Sequence, residues 1–174
     1  MKKMIAMILV LAMAVALVAC GNKAASKTPL AGTMEENVLK VMEIAPVEFM
    51  GGIVPIDLTD TSEDGLWWIK SFTGLTDVSK ITDAAAYESM IGSQAFSLVM
   101  VRTAEGEDPK AVAQEMKDNI DPRKWICVGA DEIMAAGYGD TVMFIMVDSM
   151  LGLKAQSYVD AFAQVTGGEL DFTI

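Results

Sequence analysis

The sequence predicts an α+β fold: an antiparallel sheet of at least four strands with helices on one face, arranged as a ββα-ββα pseudo-repeat and preceded by two N-terminal helices. Three observations support this fold class. Two apolar runs have no polar face, as in strands that are covered on both sides. Turn residues precede each run. A shift of 46 residues then superposes the turn, strand and helix pattern of one unit on that of the other.

The first helix is predicted at about residues 34–44. Thr33 and Glu36 match a capping box, in which the threonine caps the helix and the glutamate three residues later bonds back to the cap. Apolar residues follow at helical spacing until Pro46, which ends the run. A short strand-like stretch, broken by glycine and proline, comes next.

Residues 60–71 begin like a calcium loop, in which oxygen ligands alternate ahead of a glycine. The twelfth position of such a loop requires a bidentate glutamate, but here it is Ser71. We therefore favour the alternative, a helix start capped by Thr61 or Ser62. On that helix Trp67 and Trp68 would lie about 100° apart, one in the core and one at its rim. An aromatic ligand platform is the alternative for this pair.

The two ββα units account for most of the remaining chain. Gly92-Ser93 suits a two-residue hairpin turn, and the 46-residue shift lays it over Tyr138-Gly139. The inner strands are predicted at residues 95–101 and 142–147. The following helices are predicted at about 109–120 and 155–165. The shift places both helices on one face of the sheet, related by an approximate two-fold axis.

The N-terminus has the features of a secretory signal. Lys2 and Lys3 precede an uncharged run of 16 residues, which is shorter than the ~20 residues that span a bilayer. The run ends in Leu-Val-Ala-Cys-Gly at residues 17–21, which resembles the lipobox of bacterial lipoproteins. The resemblance implies cleavage between Ala19 and Cys20 and a diacylglycerol on Cys20. An uncleaved transmembrane anchor is the alternative.

These features divide the chain into three parts. Residues 1–19 are the predicted signal peptide, and residues 20–32 are the lipidated cysteine and a flexible tether rich in small polar residues. Residues 33–174 form a single globular domain. The expected location is the cell membrane, with the lipid-anchored domain facing outside the cytoplasm.

Charge and composition exclude several functional classes. Removal of Lys2 and Lys3 from the 13 basic residues leaves 11 against 24 acidic residues, a net charge of −13. Nucleic-acid binding is excluded at this balance, because phosphate contacts by Lys and Arg supply most of such affinity. The chain has no histidine, which removes Ser-His-Asp triads, Cys-His pairs and HExxH zinc sites. No cofactor or metal site is predicted.

The remaining candidates for chemistry are carboxylates and one thiol. Cys127 lies in the apolar run Trp-Ile-Cys-Val and is expected to be buried and inert, since a reactive thiol would need a nearby cation. The acidic clusters lie in polar loops and are expected to be solvated. A glycosidase pair could be drawn from them, but no catalytic residue is assigned. The clusters are Asp57/Asp60/Glu63/Asp64, Glu105/Glu107/Asp108 and Asp131/Glu132.

Part of the chain, roughly residues 75–165, resembles a group of Gram-positive lipoproteins that contain a domain of unknown function. The resemblance rests on Gly-Leu-Thr at 74–76, Ser-Gln-Ala-Phe-Ser-Leu-Val-Met-Val at 93–101 and Gly-Asp-Thr-Val-Met-Phe at 139–144. It implies a lipid-anchored α+β domain and assigns no catalytic residue.

Two functions are expected from these observations. The first is a non-catalytic binding or accessory module, held at the membrane by the lipid on Cys20, for an envelope or membrane protein. The alternative is a small carboxylate-dependent hydrolase acting at the cell envelope. An exposed apolar or aromatic patch would favour the module, and a groove joining two carboxylates would favour the enzyme.

Overall fold

The computed structural model describes residues 28–174. The predicted signal peptide and Cys20 lie outside the described residues. Among residues 28–174, no helix is both long enough and apolar enough to cross a membrane.

Four helices and six strands make up this part of the chain. The helices are α1 (Met34–Ile44), α2 (Glu63–Thr73), α3 (Pro109–Asn119) and α4 (Ala155–Thr166). The strands are β1 (Gly51–Pro55), β2 (Ile81–Ser89), β3 (Phe96–Thr103), β4 (Glu132–Tyr138), β5 (Thr141–Val147) and β6 (Phe172–Thr173). The strands form one antiparallel sheet in the order β1-β2-β3-β5-β4-β6.

The predicted fold class is confirmed, because the sheet is antiparallel and the chain runs ββα-ββα after two helices. The placement of the helices on one face is wrong. Helices α1 and α4 pack with Leu98 and Ile145 on one face of the sheet, and α2 and α3 pack with Val99 and Phe144 on the other. The physical reason is that β3 and β5 are apolar on both faces, so both faces require a cover.

The β4-β5 hairpin repeats the pairing pattern of the β2-β3 hairpin, but with a shift of 47 residues rather than 46. Adding 47 to both members of the pair Glu88↔Ser97 gives the pair Ala135↔Phe144 of the second hairpin. The same shift takes Phe96 to Met143, which lies on the same face, whereas a shift of 46 takes it to the opposite face. Helices α3 and α4 lie on opposite faces, so the predicted two-fold relation between them is wrong.

Local signals at the helix ends are confirmed. Thr33 and Glu36 form the capping box of α1, and Ser62 caps α2 by accepting from the Gly65 amide. Helix α4 has no side-chain bond at its N-cap position, and the Glu132 carboxylate accepts from the Ala155 amide instead. The Gly92-Ser93 turn is longer than predicted, since residues 90–95 connect β2 to β3.

Two glycines provide a test of how closely α2 approaches α3. Gly74 and Gly106 both have positive φ, so an alanine at either position costs about 1 kcal/mol of backbone strain. A Cβ on Gly74 would lie 2.6 Å from the Met116 carbonyl oxygen of α3, whereas a Cβ on Gly106 would meet nothing within 4 Å. We expect Gly74→Ala to lower the free energy of unfolding by at least ~1 kcal/mol more than Gly106→Ala in urea denaturation. Equal losses would contradict the close contact.

Candidate functional site

The chain enters the domain at one end of the sheet. Arg102, near the end of β3, donates to the carbonyl oxygens of Leu30 at 2.8 Å and Gly32 at 2.9 Å, and it pairs with Asp140 at 2.9 Å. The Asn37 side chain also donates to the Ala31 carbonyl. The last residues of the predicted tether are therefore fixed on the domain, at what we call the entry end.

Exposed apolar side chains gather at the opposite end of the sheet. The Met90 amide donates to the Met50 carbonyl beside the start of β1, and the Ile126 amide donates to the Gly92 carbonyl in the β2-β3 connection. Ile126 is 70% exposed and Met150 is 91% exposed. We call this surface the apolar tip, and its large side chains are Met50, Met90, Ile91, Ile126 and Met150.

A cleft of about 700 Å³ adjoins the apolar tip. All three tryptophans of the chain line it: Trp67 and Trp68 from α2, and Trp125 from the segment after α3. The adjacent pair was expected to divide between core and rim, but both are exposed, Trp67 by 66% and Trp68 by 44%. Trp68 packs edge-on against Phe72 with ring centroids 4.8 Å apart. We call this site the tryptophan cleft.

An ion pair forms the floor of the tryptophan cleft. The Lys124 ammonium donates to the Glu88 carboxylate at 2.9 Å and to the Ser97 hydroxyl at 3.2 Å, and Ser97 in turn donates to Glu88. The same ammonium lies 4.6 Å from the centre of the Phe72 ring and 5.3 Å from that of Trp125. The cation therefore contacts two aromatic rings as well as one carboxylate.

Burial dominates the electrostatics of this pair. The side chains of Glu88 and Lys124 are only 13% and 16% exposed. Burial raises the pKa of the Glu88 carboxyl despite the opposing effects of Lys124 and Ser97, and burial lowers the pKa of the Lys124 ammonium despite Glu88. Both shifts show that the protein environment disfavours the charged forms, and that each charge depends on its partner.

The rim of the cleft carries cations that have no partner among residues 28–174. Lys70 and Arg123 line the cleft, and no ion pair or side-chain hydrogen bond of either is found in that part of the chain. The stem of Arg123 packs against Gly129, where an added Cβ would lie 2.8 Å from its Cγ. The Arg123 side chain thus passes close to Gly129 and is exposed to solvent.

The prediction that Cys127 is buried is wrong. Cys127 is exposed and has a φ of 62°, a backbone conformation that residues other than glycine rarely adopt. The apolar run around it does not form a strand. It belongs to an irregular connection from α3 to β4, whose backbone bonds to the Gly92 turn and to Pro122.

The three acidic clusters are not brought together into one site. Glu105, Glu107 and Asp108 follow β3 at the entry end, where a second cleft of about 690 Å³ also contains Asp140 and Asp171. Asp131 and Glu132 begin β4 at the other end, where Asp131 binds Ser149 and Glu132 caps α4. In the third cluster, Asp57 and Asp60 accept from residues two positions along the chain. Among residues 28–174, no group of three or more acidic or thiol side chains could hold a metal ion.

Sequence reasoning missed the floor of the cleft. Glu88 and Ser97 face each other across β2 and β3, and Lys124 reaches them from a loop 27 residues beyond Ser97. The available signal was a glutamate in a strand predicted to pair with a mostly apolar strand, since such a charge requires a counterion.

No match was found when the chain was compared with known protein families, with curated proteins and with solved structures. The resemblance to lipoproteins containing a domain of unknown function stays a prediction.

The buried pair predicts a pH-dependent effect of Lys124→Met. Without the ammonium, Glu88 is buried unpaired, and we expect a loss of about 3 kcal/mol in the free energy of unfolding near neutral pH. Since the native-state pKa of Glu88 is raised, its proton is held more tightly in the native state. Stability from this group therefore falls as pH rises from the unfolded value of 4.5 through the native value.

The difference in unfolding free energy between wild type and Lys124→Met should accordingly narrow as pH is lowered from neutrality towards about 5, measured by urea denaturation. The double variant Glu88→Gln/Lys124→Met is the control, because it removes the titrating group. If the difference in unfolding free energy between wild type and Lys124→Met did not change with pH, this account would be contradicted.

Proposed function

We propose that this protein is an extracytoplasmic lipoprotein, anchored through Cys20, that acts as a non-catalytic binding module for an envelope or membrane protein. The observation that carries the proposal is that the two ends of the domain differ. The chain is fixed at the entry end by Arg102, whereas the apolar tip and the tryptophan cleft lie at the other end. Strand β3 has eight residues, so the two ends are about 26 Å apart.

The apolar tip is the surface that would contact the protein partner. Contiguous exposed apolar side chains are typical of interaction sites, and methionines adapt to partners of different shape. Three of the five side chains that define the tip are methionines, namely Met50, Met90 and Met150. An anchor at the entry end would leave this surface directed away from the anchor.

The carboxylate-dependent hydrolase is less well supported. Glycosidase carboxylates lie about 5–10 Å apart, whereas the clusters around Glu105 and Glu132 lie at opposite ends of the sheet. In the cleft at the entry end, Asp140 pairs with Arg102, and Asp108 caps α3. Glu105 and Glu107 are exposed to solvent.

The anchor can be tested by Cys20→Ala. We expect this change to abolish labelling by a fatty-acid analogue and to leave the precursor uncleaved, because the thiol is the site of lipid attachment. Labelling in living cells followed by gel analysis of precursor and mature forms makes the measurement. Cys127→Ala is the matched control and should label normally. Unchanged labelling and processing of Cys20→Ala would contradict the anchor.

The tip can be tested with a photo-crosslinking amino acid at Ile126 or Met150 in native membranes. We expect both positions to give the same adduct, identified by mass spectrometry as an envelope or membrane protein. We also expect Met90→Asp to reduce that adduct several-fold, because it places a charge in the interface.

Leu39 provides the matched control, since it is an exposed apolar residue of α1 that does not belong to the tip. The same crosslinker at position 39 should not give this adduct. Equal adducts from positions 39 and 126, or no adduct from either tip position, would contradict the proposal.

A further inference from the structure

We propose that the tryptophan cleft binds a sugar ring that carries a carboxylate. The inference rests on the proposed function, because it adds a ligand to the binding module, but it concerns a different surface from the apolar tip. Three features of the cleft carry it: an unoccupied aromatic face, unpaired cations and the composition of the lining.

Trp67 supplies the aromatic face. It is 66% exposed, and within residues 28–174 it takes part in none of the contacts between aromatic rings. The neighbouring rings are already engaged, since Trp68 packs on Phe72, and Lys124 lies over Phe72 and Trp125. An exposed indole that does not pack in the core is suited to stacking on the flat apolar face of a ring, with its polar edge left to hydrogen-bond.

Arg123 and Lys70 supply the charge complementarity. Both are cations of the cleft rim without a partner among the described residues, in a chain with a strong excess of acidic side chains. Lys124 is not available for a ligand, because Glu88, Ser97 and the Ser71 carbonyl occupy its donors. The planar guanidinium of Arg123 can bind a carboxylate through two parallel hydrogen bonds.

The composition of the lining favours a sugar over an amphipathic helix. Val54 is the one aliphatic residue among the described residues that line the cleft, whereas grooves that take an amphipathic helix are lined by aliphatic and methionine residues. The other non-aromatic residues are polar, and they include Asn119 and Ser89, which can donate to and accept from hydroxyl groups. Aromatic faces combined with polar side chains match the apolar face and hydroxyl edge of a pyranose.

The net charge of the chain limits how anionic the ligand can be. A polyanion would be repelled by a domain with 24 acidic residues. The lining of the cleft carries three cations, Lys70, Arg123 and Lys124, against the two carboxylates of Glu88 and Asp121, so its local charge is +1, which a single carboxylate balances. The expected ligand is therefore a neutral saccharide that carries a single carboxylate.

The test compares two disaccharides that differ by one acidic substituent: N-acetylglucosaminyl-N-acetylmuramic acid and N,N′-diacetylchitobiose (chitobiose below). Binding to the mature chain is measured by calorimetry and by tryptophan fluorescence, which reports on this cleft because all three tryptophans line it. We expect the acidic disaccharide to bind at least about tenfold more tightly than chitobiose, the increment expected for a charge-assisted pair of hydrogen bonds.

Three variants separate the contributions. Trp67→Ala should weaken both disaccharides about tenfold through the loss of stacking, and Arg123→Gln should weaken only the acidic one. Neither residue packs in the core, so urea denaturation should show unchanged stability. Lys154→Gln is the matched control, an exposed lysine at the start of α4 on the other face of the sheet, and it should bind like wild type.

Equal binding of the two disaccharides would overturn the assignment of a carboxylate. No binding of either disaccharide would overturn the sugar assignment, as would tighter binding of a short acidic peptide containing tryptophan. These results are distinguishable from failure of the proposed function, because crosslinking from Ile126 reports on the apolar tip and does not depend on the cleft.

Discussion

Both faces of β3 and β5 are apolar, and the rest of the structure follows from the need to cover them. Every residue of β5 is buried, so neither face can meet water. Helices α1 and α4 cover one face, and α2 and α3 cover the other. This arrangement leaves the ends of the sheet uncovered by the four helices. One end holds the incoming chain, and the other has the apolar tip and the tryptophan cleft.

The sequence predicted the helix caps better than it predicted the helix faces, because a cap depends on a local signal. The capping box at Thr33 and the cap at Ser62 are read over three residues, and both were correct. The faces of the helices depend on the register between distant segments, and a one-residue error in the repeat reverses every face of a strand. The 46-residue shift contained that error, but the correct shift of 47 also predicts one common face for α3 and α4. The repeat of the hairpins therefore does not extend to the helices that follow them.

The candidate site was less predictable than the fold for the same reason. The aromatic pair Trp67-Trp68 was visible as a possible platform, but its neighbours Glu88 and Lys124 lie about 20 and 56 residues further along the chain. The apolar run around Cys127 was read as buried because hydropathy does not record whether a strand partner exists. Here the sheet consists of β1 to β6, and the run around Cys127 is not one of its strands.

The ion pair under the tryptophan cleft is better explained by geometry than by stability. Removing two charges from water costs several kcal/mol per ion, so a buried pair adds little stability over apolar residues of the same volume. What the pair does provide is a hydrogen-bonded position for the Lys124 ammonium, which lies against both Phe72 and Trp125. Phe72 in turn packs edge-on against Trp68. Hydrogen bonds and cation–π contacts thus connect the ion pair to the aromatic wall, whereas Trp67 makes no contact with another aromatic ring among residues 28–174.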